Sequence, residues 1–179
     1  SLRSTIDEYH RKAEGKAVLE KRALPTDEAR DLLVGLTDPE LPAALAGALL
    51  AALRAKGVTP EELRGFALGM RSLARRPDIE PNSAAVDIVG TGEDKSGSYN
   101  ISTGAALLTA AAGLPVIKHG NRSVSSRTGS ADVLEALGLV LPLDERRAAA
   151  CFQATQFTFL FAPHYHPAMK AVAPVRNAM

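Results

Sequence analysis

Residues 87–103 have the sequence DIVGTGEDKSGSYNIST, and residues 118–132 have the sequence KHGNRSVSSRTGSAD. The polar part of each segment is rich in Gly, Ser and Thr, follows a short apolar run and leads into a predicted helix. A backbone of small residues can approach an anion closely, and the first N–H groups of a helix have no partner within that helix. The two segments together therefore predict a site for a phosphorylated ligand.

The region around these segments alternates between strand and helix patterns. We expect strands at 84–89, 115–118 and 157–161, and helices at 102–112, 130–137 and 144–155. This alternation predicts an α/β fold with a mainly parallel sheet covered on both faces. Ligands of such sheets bind beyond the carboxyl ends of the strands, where both polar loops and residues 162–167 lie. Three strands are few for a sheet of this kind, and residues 175–179 add no further strand. We therefore expect the sequence to be a piece of a longer protein, truncated at its C-terminus.

The first part of the chain instead shows one helix pattern after another. Thr59-Pro60-Glu61-Glu62 is a capping box with Pro at the first helical position, and apolar residues follow at 63, 66, 67, 70 and 73. We expect Asp38 to cap a helix over 39–56 that stops at Gly57, and Thr26 to cap a helix over 27–34. These elements predict helical hairpins.

The stretch 75–83 contains two prolines and no apolar periodicity, which is typical of a linker. The expected organisation is a small all-helical domain over 1–76, a linker over 77–83, the first part of an α/β domain over 84–163, and a helical segment over 164–179 that returns towards the helical domain.

Composition limits the classes of function. The chain has 179 residues, of which 46% are hydrophobic and 23% charged, as in soluble globular proteins. A formal charge of +1 argues against nucleic acid and membranes as partners and favours a small molecule. Cys151 is the single cysteine, which excludes an internal disulfide, fits a reducing cytoplasmic setting and is interpreted as packing. The start of the chain lacks a signal-peptide pattern, and Pro42 and Gly47 interrupt its longest apolar stretch.

The first loop is not a familiar nucleotide-binding motif. Gly90-Thr-Gly92 is followed by no Gly-Lys-Ser/Thr, which excludes a P-loop, and no third glycine opens the next helix in dinucleotide-binding spacing. Residues 100–103 stand where that helix begins. They either form an ordinary N-cap or bind phosphate, with Ser102 or Thr103 also able to contact a metal.

The second loop concentrates polar groups at a strand end. Lys118-His119-Gly120-Asn121-Arg122 directly follows Leu-Pro-Val-Ile, which is an unusual place for a solvated surface run. We interpret Lys118 or Arg122 as a phosphate partner and Asn121 as an orienting donor. Residues 125, 126, 128 and 129 continue the polar lining, and Ser130 caps the next helix or joins that lining.

The C-terminal part carries two further candidates. His164 and His166 stand two residues apart, but no recognisable set of metal ligands accompanies them. We therefore expect Tyr165 to be packed and His166 to face the substrate. Arg176 is either a carboxylate partner or a surface charge.

Taken together, four spaced motifs resemble the anthranilate phosphoribosyltransferase family of tryptophan biosynthesis. They are DIVGTG with Asp94, NIST at 100–103, KHGNRSVSS at 118–126 with GSADVLEAL at 129–137, and FAPHYHPAMK at 161–170 through APVR at 173–176. The resemblance covers nearly the whole chain. It implies a small helical domain joined to an α/β domain, a homodimer formed through the helical parts, magnesium as cofactor, and transfer of phosphoribosyl from phosphoribosyl pyrophosphate to the amine of anthranilate.

The resemblance also implies roles for individual residues. It places anthranilate against Gly90, His119, Asn121, His166 and Arg176, and magnesium on Ser102. The phosphoribosyl donor is expected to contact Gly90, Gly92, Glu93, Asp94, Ser98, Asn100, Ile101, Ser102, Thr103, Lys118, His119, Gly120, Asn121, Ser126 and Ser130. No group beyond these binding residues is assigned as catalytic, since a neutral aromatic amine is already a nucleophile.

Two features depart from the family pattern. Glu93 stands where the family commonly has glycine, which puts the identity of the acceptor amine in question. The family's downstream Asp-Glu magnesium pair has no counterpart, because Asp144-Glu145 comes too early in the chain. The 179-residue chain alone is therefore expected to be a weak or inactive catalyst. The alternatives are a pyrimidine nucleoside phosphorylase and a non-catalytic relative that binds nucleic acid.

Overall fold

The computed structural model describes residues 14–80, 84–90, 99–123 and 128–178. The described residues up to 74 and those from 166 onwards form a helical unit, and those within 75–165 form an α/β unit. No helix in these described ranges has the combination of length and apolar character needed to cross a bilayer.

Helical residues 14–19 are α1, and the remaining elements follow in chain order. They are α2 (Thr26–Leu36), α3 (Ala43–Lys56), α4 (Pro60–Leu73), α5 (Ile101–Ala111), β1 (Val116–Gly120), α6 (Ser130–Ala136), α7 (Glu145–Thr155), β2 (Phe157–Phe161), α8 (Ala162–Tyr165) and α9 (Met169–Asn177).

The start of α4 confirms the predicted capping box. The Thr59 hydroxyl accepts a hydrogen bond from Glu62 N, and the Glu62 carboxylate accepts one from Thr59 N. Gly57 ends α3 with a φ of 82°, a left-handed conformation that glycine adopts without steric cost.

Two other predicted caps are wrong. α3 begins at Ala43, because a proline at position 42 keeps the preceding residue out of the helical conformation. Asp38 instead accepts a hydrogen bond from Glu40 N in the turn before the helix. Thr26 is the first residue of α2 and makes no capping bond; its hydroxyl donates to the Glu61 carbonyl.

α4 packs against α2 through glycines. A Cβ added at Gly65 would lie 2.3 Å from the Thr26 carbonyl oxygen, and one at Gly69 would lie 3.0 Å from Leu33 Cδ2. The buried residues of α4 are accordingly Glu62, Gly65 and Gly69, whereas the predicted apolar stripe is only partly covered. Leu63, the first residue of that stripe, is 64% exposed. Close backbone contact thus decides which face of this helix is buried.

Glu62 joins three segments of the helical unit. Its side chain is fully buried, and its carboxylate accepts hydrogen bonds from Leu24 N, Thr59 N and Lys56 Nζ at 2.9, 2.8 and 2.7 Å. Burial acts to raise the pKa of Glu62, but the hydrogen bonds and the charge of Lys56 outweigh it and lower that pKa on balance. Glu62 is therefore an ionised anchor inside the core.

The apolar core of the helical unit lies around this anchor. It draws on residues from α1 to α3 and on α9, which contributes Val172. Its buried members are Ala17, Val18, Leu24, Ala29, Leu32, Leu36, Ala46, Leu49, Leu53 and Val172.

The α/β unit is built on two parallel strands. β1 and β2 pair in register from Val116 opposite Phe157 to Gly120 opposite Phe161. The predicted strand at 84–89 is present only as a single bridge between Val86 and Val116. Beyond that bridge the Ile88 carbonyl accepts a hydrogen bond from the side chain of Lys118, and His119 N donates to the side chain of Asp87.

Helices cover both faces of this small sheet, as predicted. On one face Val116 and Phe159 pack with Ala106 of α5 and Leu134 of α6. On the other face Leu160 packs in a cluster that contains Leu143, Ala148 of α7 and Tyr165 of α8. The carboxyl ends of β1 and β2 therefore extend from a rigid, two-sided core.

Replacing the glycine at the α2–α4 contact tests this packing. Gly65→Ala should lower the free energy of unfolding of the helical unit by about 1–3 kcal/mol, because the methyl group must push two helix backbones apart. Gly47→Ala in α3 is the matched control, since its Cβ would lie 3.5 Å from Val175 Cγ1. The control should gain up to about 1 kcal/mol from helix propensity. Urea denaturation followed by circular dichroism measures both, and equal effects would contradict the close contact.

The buried ion pair gives a second stability prediction. Glu62→Gln should cost the helical unit about 3 kcal/mol at pH 7, because the Lys56 ammonium stays buried without its counter-charge. The exposed neighbour Glu61, changed to Gln, should alter stability by less than about 0.5 kcal/mol.

The same pair predicts a pH dependence. Because the pKa of Glu62 is lowered, its charge makes its full contribution to the free energy of unfolding at neutral pH. That contribution is lost as the pH falls through the lowered pKa. The stability difference between the wild type and Glu62→Gln should therefore shrink on acidification. A difference that stays constant from pH 7 to pH 3 would show that the charge of Glu62 contributes nothing.

Candidate anion-binding site

The predicted site residues fall into three groups. Five of them, Gly92, Glu93, Asp94, Ser98 and Ser126, lie outside the described residues. His166 and Arg176 belong to the helical unit, where Arg176 is exposed on α9. The α/β unit contains the remaining ten, namely Gly90, Asn100, Ile101, Ser102, Thr103, Lys118, His119, Gly120, Asn121 and Ser130.

Lys118 is the centre of the group in the α/β unit. It lies in β1 with only 1% of its surface exposed. Its Nζ donates to the Ile88 carbonyl and lies 3.5 Å from Ser102 Oγ in the first turn of α5. Burial lowers the pKa of Lys118, and the negative charge of Asp87 partly opposes that shift. The strand thus holds a largely desolvated amine at the start of a helix.

The first glycine of the GTG motif lies beside the same helix start. A Cβ built on Gly90 would be 3.7 Å from Ser102 Oγ. The Thr103 side chain is fully buried, and its hydroxyl has no hydrogen-bond partner in the described part of the chain. Ile101 is 69% exposed, so its side chain contributes no packing to this group. Gly90, Ser102 and Lys118 therefore come together as the sequence predicts.

Asn100 connects the two loops. It precedes α5, and its carbonyl accepts from Thr103 N and Gly104 N, but its side chain makes no capping bond. The side-chain amide instead donates to the Thr128 carbonyl at 2.7 Å. The second loop is thereby tied to the helix that carries Ser102.

The backbone after Lys118 is also fixed. His119 N donates to Asp87 Oδ1 at 3.2 Å, and Ala131 N donates to the Asn121 carbonyl at 3.2 Å. A Cβ at Gly120 would lie 2.8 Å from the Phe159 ring, so only glycine fits there. Asn121 is exposed, and its side-chain oxygen accepts a hydrogen bond from Arg122 N at 2.8 Å.

Arg122 pairs with carboxylates of α6. Its guanidinium forms a bidentate pair with Glu135 at 2.5 and 2.7 Å and contacts Asp132 at 3.1 Å. The guanidinium carbon Cζ lies 5.7 Å from the Phe161 ring centroid. Because two carboxylates already neutralise Arg122, this geometry favours Lys118 over Arg122 as the phosphate partner.

His164 lies in α8, and His166 directly follows that helix. No cluster of three or more His, Cys, Asp or Glu side chains with metal-binding geometry occurs among the residues that the structure describes. His164 Nε2 lies 3.8 Å from Glu145 Oε2. Tyr165 is packed as expected, with its hydroxyl donating to the Leu143 carbonyl, and burial raises the pKa of Tyr165 to about 12.

The surroundings of Ser102 determine how magnesium could bind. Ser102 offers a single hydroxyl oxygen, and the Lys118 amine lies 3.5 Å from it. Mg²⁺ commonly binds through one or two protein oxygens together with water and substrate phosphates. The residues present therefore fit an ion held mainly by phosphate oxygens, with Ser102 as one protein ligand, and do not form a complete protein cage within the described ranges.

Sequence reasoning missed two carboxylates and one carbonyl. Asp87 bonds His119 N, and Asp132 bonds the backbone of the second loop. Asp132 follows Gly129 by three residues, the spacing of a capping box, and that signal could have identified it. The Ile88 carbonyl had no sequence signal, because any residue carries the same group.

Comparison with known proteins accounts for both units. A model of the glycosyl transferase family helical bundle domain matches residues 15–74, and a model of that family's a/b domain matches residues 82–179. An anthranilate phosphoribosyltransferase from Synechocystis is 48% identical over 163 residues, covering 90% of this chain and 47% of the relative. One from Xanthomonas campestris is 47% identical over 161 residues with the same coverage. The chain thus spans about half the length of these relatives.

Solved structures give the same result. The anthranilate phosphoribosyltransferase of Thermus thermophilus is 43% identical, with a TM-score of 0.83 over 92% of this chain and 50% of that one. The Saccharomyces cerevisiae enzyme in complex with PRPP and Mg has a TM-score of 0.82, and at 24% identity this likeness concerns the fold alone. These comparisons favour the phosphoribosyltransferase interpretation over the nucleoside phosphorylase alternative. The chain belongs to the glycosyl transferase family in which a helical bundle domain precedes an α/β domain.

Proposed function

We propose that this chain carries the donor-binding part of an anthranilate phosphoribosyltransferase. The observation that carries the proposal is the buried Lys118, whose amine lies beside Ser102 at the start of α5 and near Gly90. A desolvated cation, a helix N-terminus and a close-approach glycine together suit a phosphate group. Relatives of that name with 43–48% identity support it.

The proposed reaction forms a bond between the amine nitrogen of anthranilate and the anomeric carbon of phosphoribosyl pyrophosphate, and pyrophosphate leaves. Lys118 and the first turn of α5 would stabilise the negative charge on the leaving pyrophosphate. Magnesium, held in part by Ser102, would neutralise phosphate charge when bound. An aromatic amine needs no strong base to attack, so the contribution of the protein is mainly to hold the two reactants in line.

The family resemblance supplies the residues for the acceptor. It assigns Gly90, His119, Asn121, His166 and Arg176 to anthranilate. The Arg176 guanidinium would pair with the carboxylate of anthranilate through two parallel hydrogen bonds. Gly92, Glu93, Asp94, Ser98 and Ser126 would complete the donor site according to the family resemblance.

The proposal extends to the assembly and location of the protein. We propose a homodimer formed through the helical unit in the cytoplasm. The apolar stripe of α4 supports the dimer, since Leu63 is 64% exposed and Ala67 is exposed one helical turn later. A second copy of this chain would cover that stripe.

Donor binding tests the function directly. Calorimetric titration of the chain with phosphoribosyl pyrophosphate and Mg²⁺ should show saturable binding. Lys118→Met should weaken that binding by roughly tenfold to a hundredfold, because it removes a charge-assisted hydrogen bond worth about 1.5–3 kcal/mol. Lys16→Met, at an exposed lysine of α1, should leave the affinity unchanged.

The pH dependence of the same titration is a further check. The affinity of the wild type should fall as the pH rises through the lowered pKa of Lys118, since the neutral amine no longer attracts phosphate. Equal affinity of the Lys118→Met variant and the wild type would contradict the proposed role. Phosphorolysis of thymidine, or salt-sensitive binding of single-stranded DNA without any response to the donor, would support the other functions instead.

The proposed dimer predicts a change of mass. Light scattering after gel filtration should give the mass of two chains for the wild type. Leu63→Lys should shift the mass towards one chain, because a charge would be buried at the contact. Leu108→Lys, at an exposed leucine of the α/β unit, is the matched control and should remain dimeric. A wild type that stays monomeric at about 100 times the protein concentration used in the donor titration would refute the proposed homodimer.

A further inference from the structure

We infer that Asp132 is a positioning residue of the donor site, because it closes the neck of the second loop and holds that neck at the start of α5. The neck consists of Arg122 and Ser123 on one side and Thr128 and Gly129 on the other. This inference rests on the proposed function, since the group that it positions is the proposed donor site.

The Asp132 carboxylate joins the two sides of the neck. Its Oδ2 accepts hydrogen bonds from Gly129 N at 2.7 Å and from Ser123 N at 3.3 Å. Its Oδ1 accepts a hydrogen bond from the Arg122 guanidinium at 3.1 Å. These bonds, those from the two backbone N–H groups above all, lower the pKa of Asp132. One ionised side chain therefore bonds backbone groups six residues apart in sequence.

Steric contact shows how tightly the neck is closed. A Cβ built on Gly129 would lie 2.2 Å from Ser123 N and 2.4 Å from the carbonyl carbon of Arg122. These atoms belong to the backbone and cannot rotate away as a flexible side chain could. Any side chain at position 129 would force the two sides of the neck apart.

Asn100 links the neck to the residues of the proposed phosphate site. The side chain of Asn100 donates to the Thr128 carbonyl, and Asn100 precedes α5 by one residue. Two residues further on, Ser102 lies beside the Lys118 amine. Opening the neck would release Thr128 and with it the restraint on the first turn of α5.

Glu135 has a different part in the same network. Its two carboxylate oxygens accept from the Arg122 guanidinium, so these bonds reach a side chain of the neck and not its backbone. The neck bonds of Asp132 Oδ2 do not depend on that pair. Removing the charge of Glu135 should therefore affect the donor site less than removing that of Asp132.

The experiment measures donor affinity and thermal stability in the same proteins. Asp132→Asn should weaken binding of phosphoribosyl pyrophosphate with Mg²⁺ by roughly tenfold, because the neutral amide removes the charge that strengthens both neck bonds and turns its NH₂ group towards Arg122 when its oxygen stays on the neck. Asp144→Asn is the matched control, because Asp144 also accepts a backbone hydrogen bond at a helix N-terminus, from Arg147 N. Both variants should melt at a somewhat lower temperature, but the control should bind the donor as the wild type does.

A second variant tests the geometry without altering any charge. Gly129→Ala forces the neck open sterically and should also weaken donor binding by roughly tenfold, even if Asp132→Asn fails to fold. Normal donor affinity in folded Asp132→Asn or in Gly129→Ala would show that Asp132 only caps α6, and would overturn the inference. Failure of the wild type to bind the donor would instead overturn the proposed function and the inference together.

Discussion

The burial of the Lys118 ammonium determines the arrangement of the α/β unit. Moving a charged amine out of water costs several kcal/mol unless nearby groups replace its hydration. Here the Ile88 carbonyl and the Ser102 hydroxyl do so, and Asp87 acts from a greater distance. The chain at 84–90 makes a single bridge to β1, and beyond that bridge the Lys118 side chain bonds the Ile88 carbonyl. The same amine thus joins this segment to β1 and places a cation at the start of α5.

A comparison with Glu62 shows how differently the protein compensates two buried charges. Glu62 is also fully buried, but three N–H donors and the opposite charge of Lys56 surround its carboxylate. The balance of these effects lowers its pKa and keeps it charged without any ligand. Lys118 has two neutral oxygen partners, and burial dominates the shift of its pKa away from the charged form. An anion beside Lys118 would supply an opposite charge, which Glu62 already has in Lys56. Ionisable groups with a perturbed pKa are typical of binding sites.

The sequence predicted those features that depend on local chemistry. The capping box at Thr59 and the bounds of β2 are found as expected, because capping bonds and strand patterns depend on residues that are neighbours in the sequence. The grouping of Gly90, Ser102 and Lys118 followed from the rule that ligands bind at the carboxyl ends of parallel strands. That rule needs only the order of strands and loops, so no contact had to be known in advance.

Apart from the local caps wrongly assigned to Asp38 and Thr26, the features that escaped prediction depend on contacts between segments that are distant in the sequence. Apolar periodicity in α4 indicated the face with the most hydrophobic area, but close approach of backbones at Gly65 and Gly69 decided which face is buried. Arg122 stood in a polar loop that suggested a ligand, whereas two carboxylates on α6 bind it. A charged residue can be assigned to a ligand or to a partner within the protein only when the spatial neighbours of that charge are known.

The electrostatics of the second loop follow from this assignment. Arg122 is neutralised by Asp132 and Glu135, so its guanidinium adds little net positive charge next to the proposed phosphate position. In the proposed function, attraction for phosphate among the described residues of this strand end would come mainly from Lys118 and from the first turn of α5, both of which are fixed before a ligand arrives. A preorganised cation is more effective than a mobile one, because binding does not have to order it or remove its water. An arginine could not replace Lys118 equally, since its larger planar group would not fit between the Ile88 carbonyl and Ser102 in a position that is only 1% exposed.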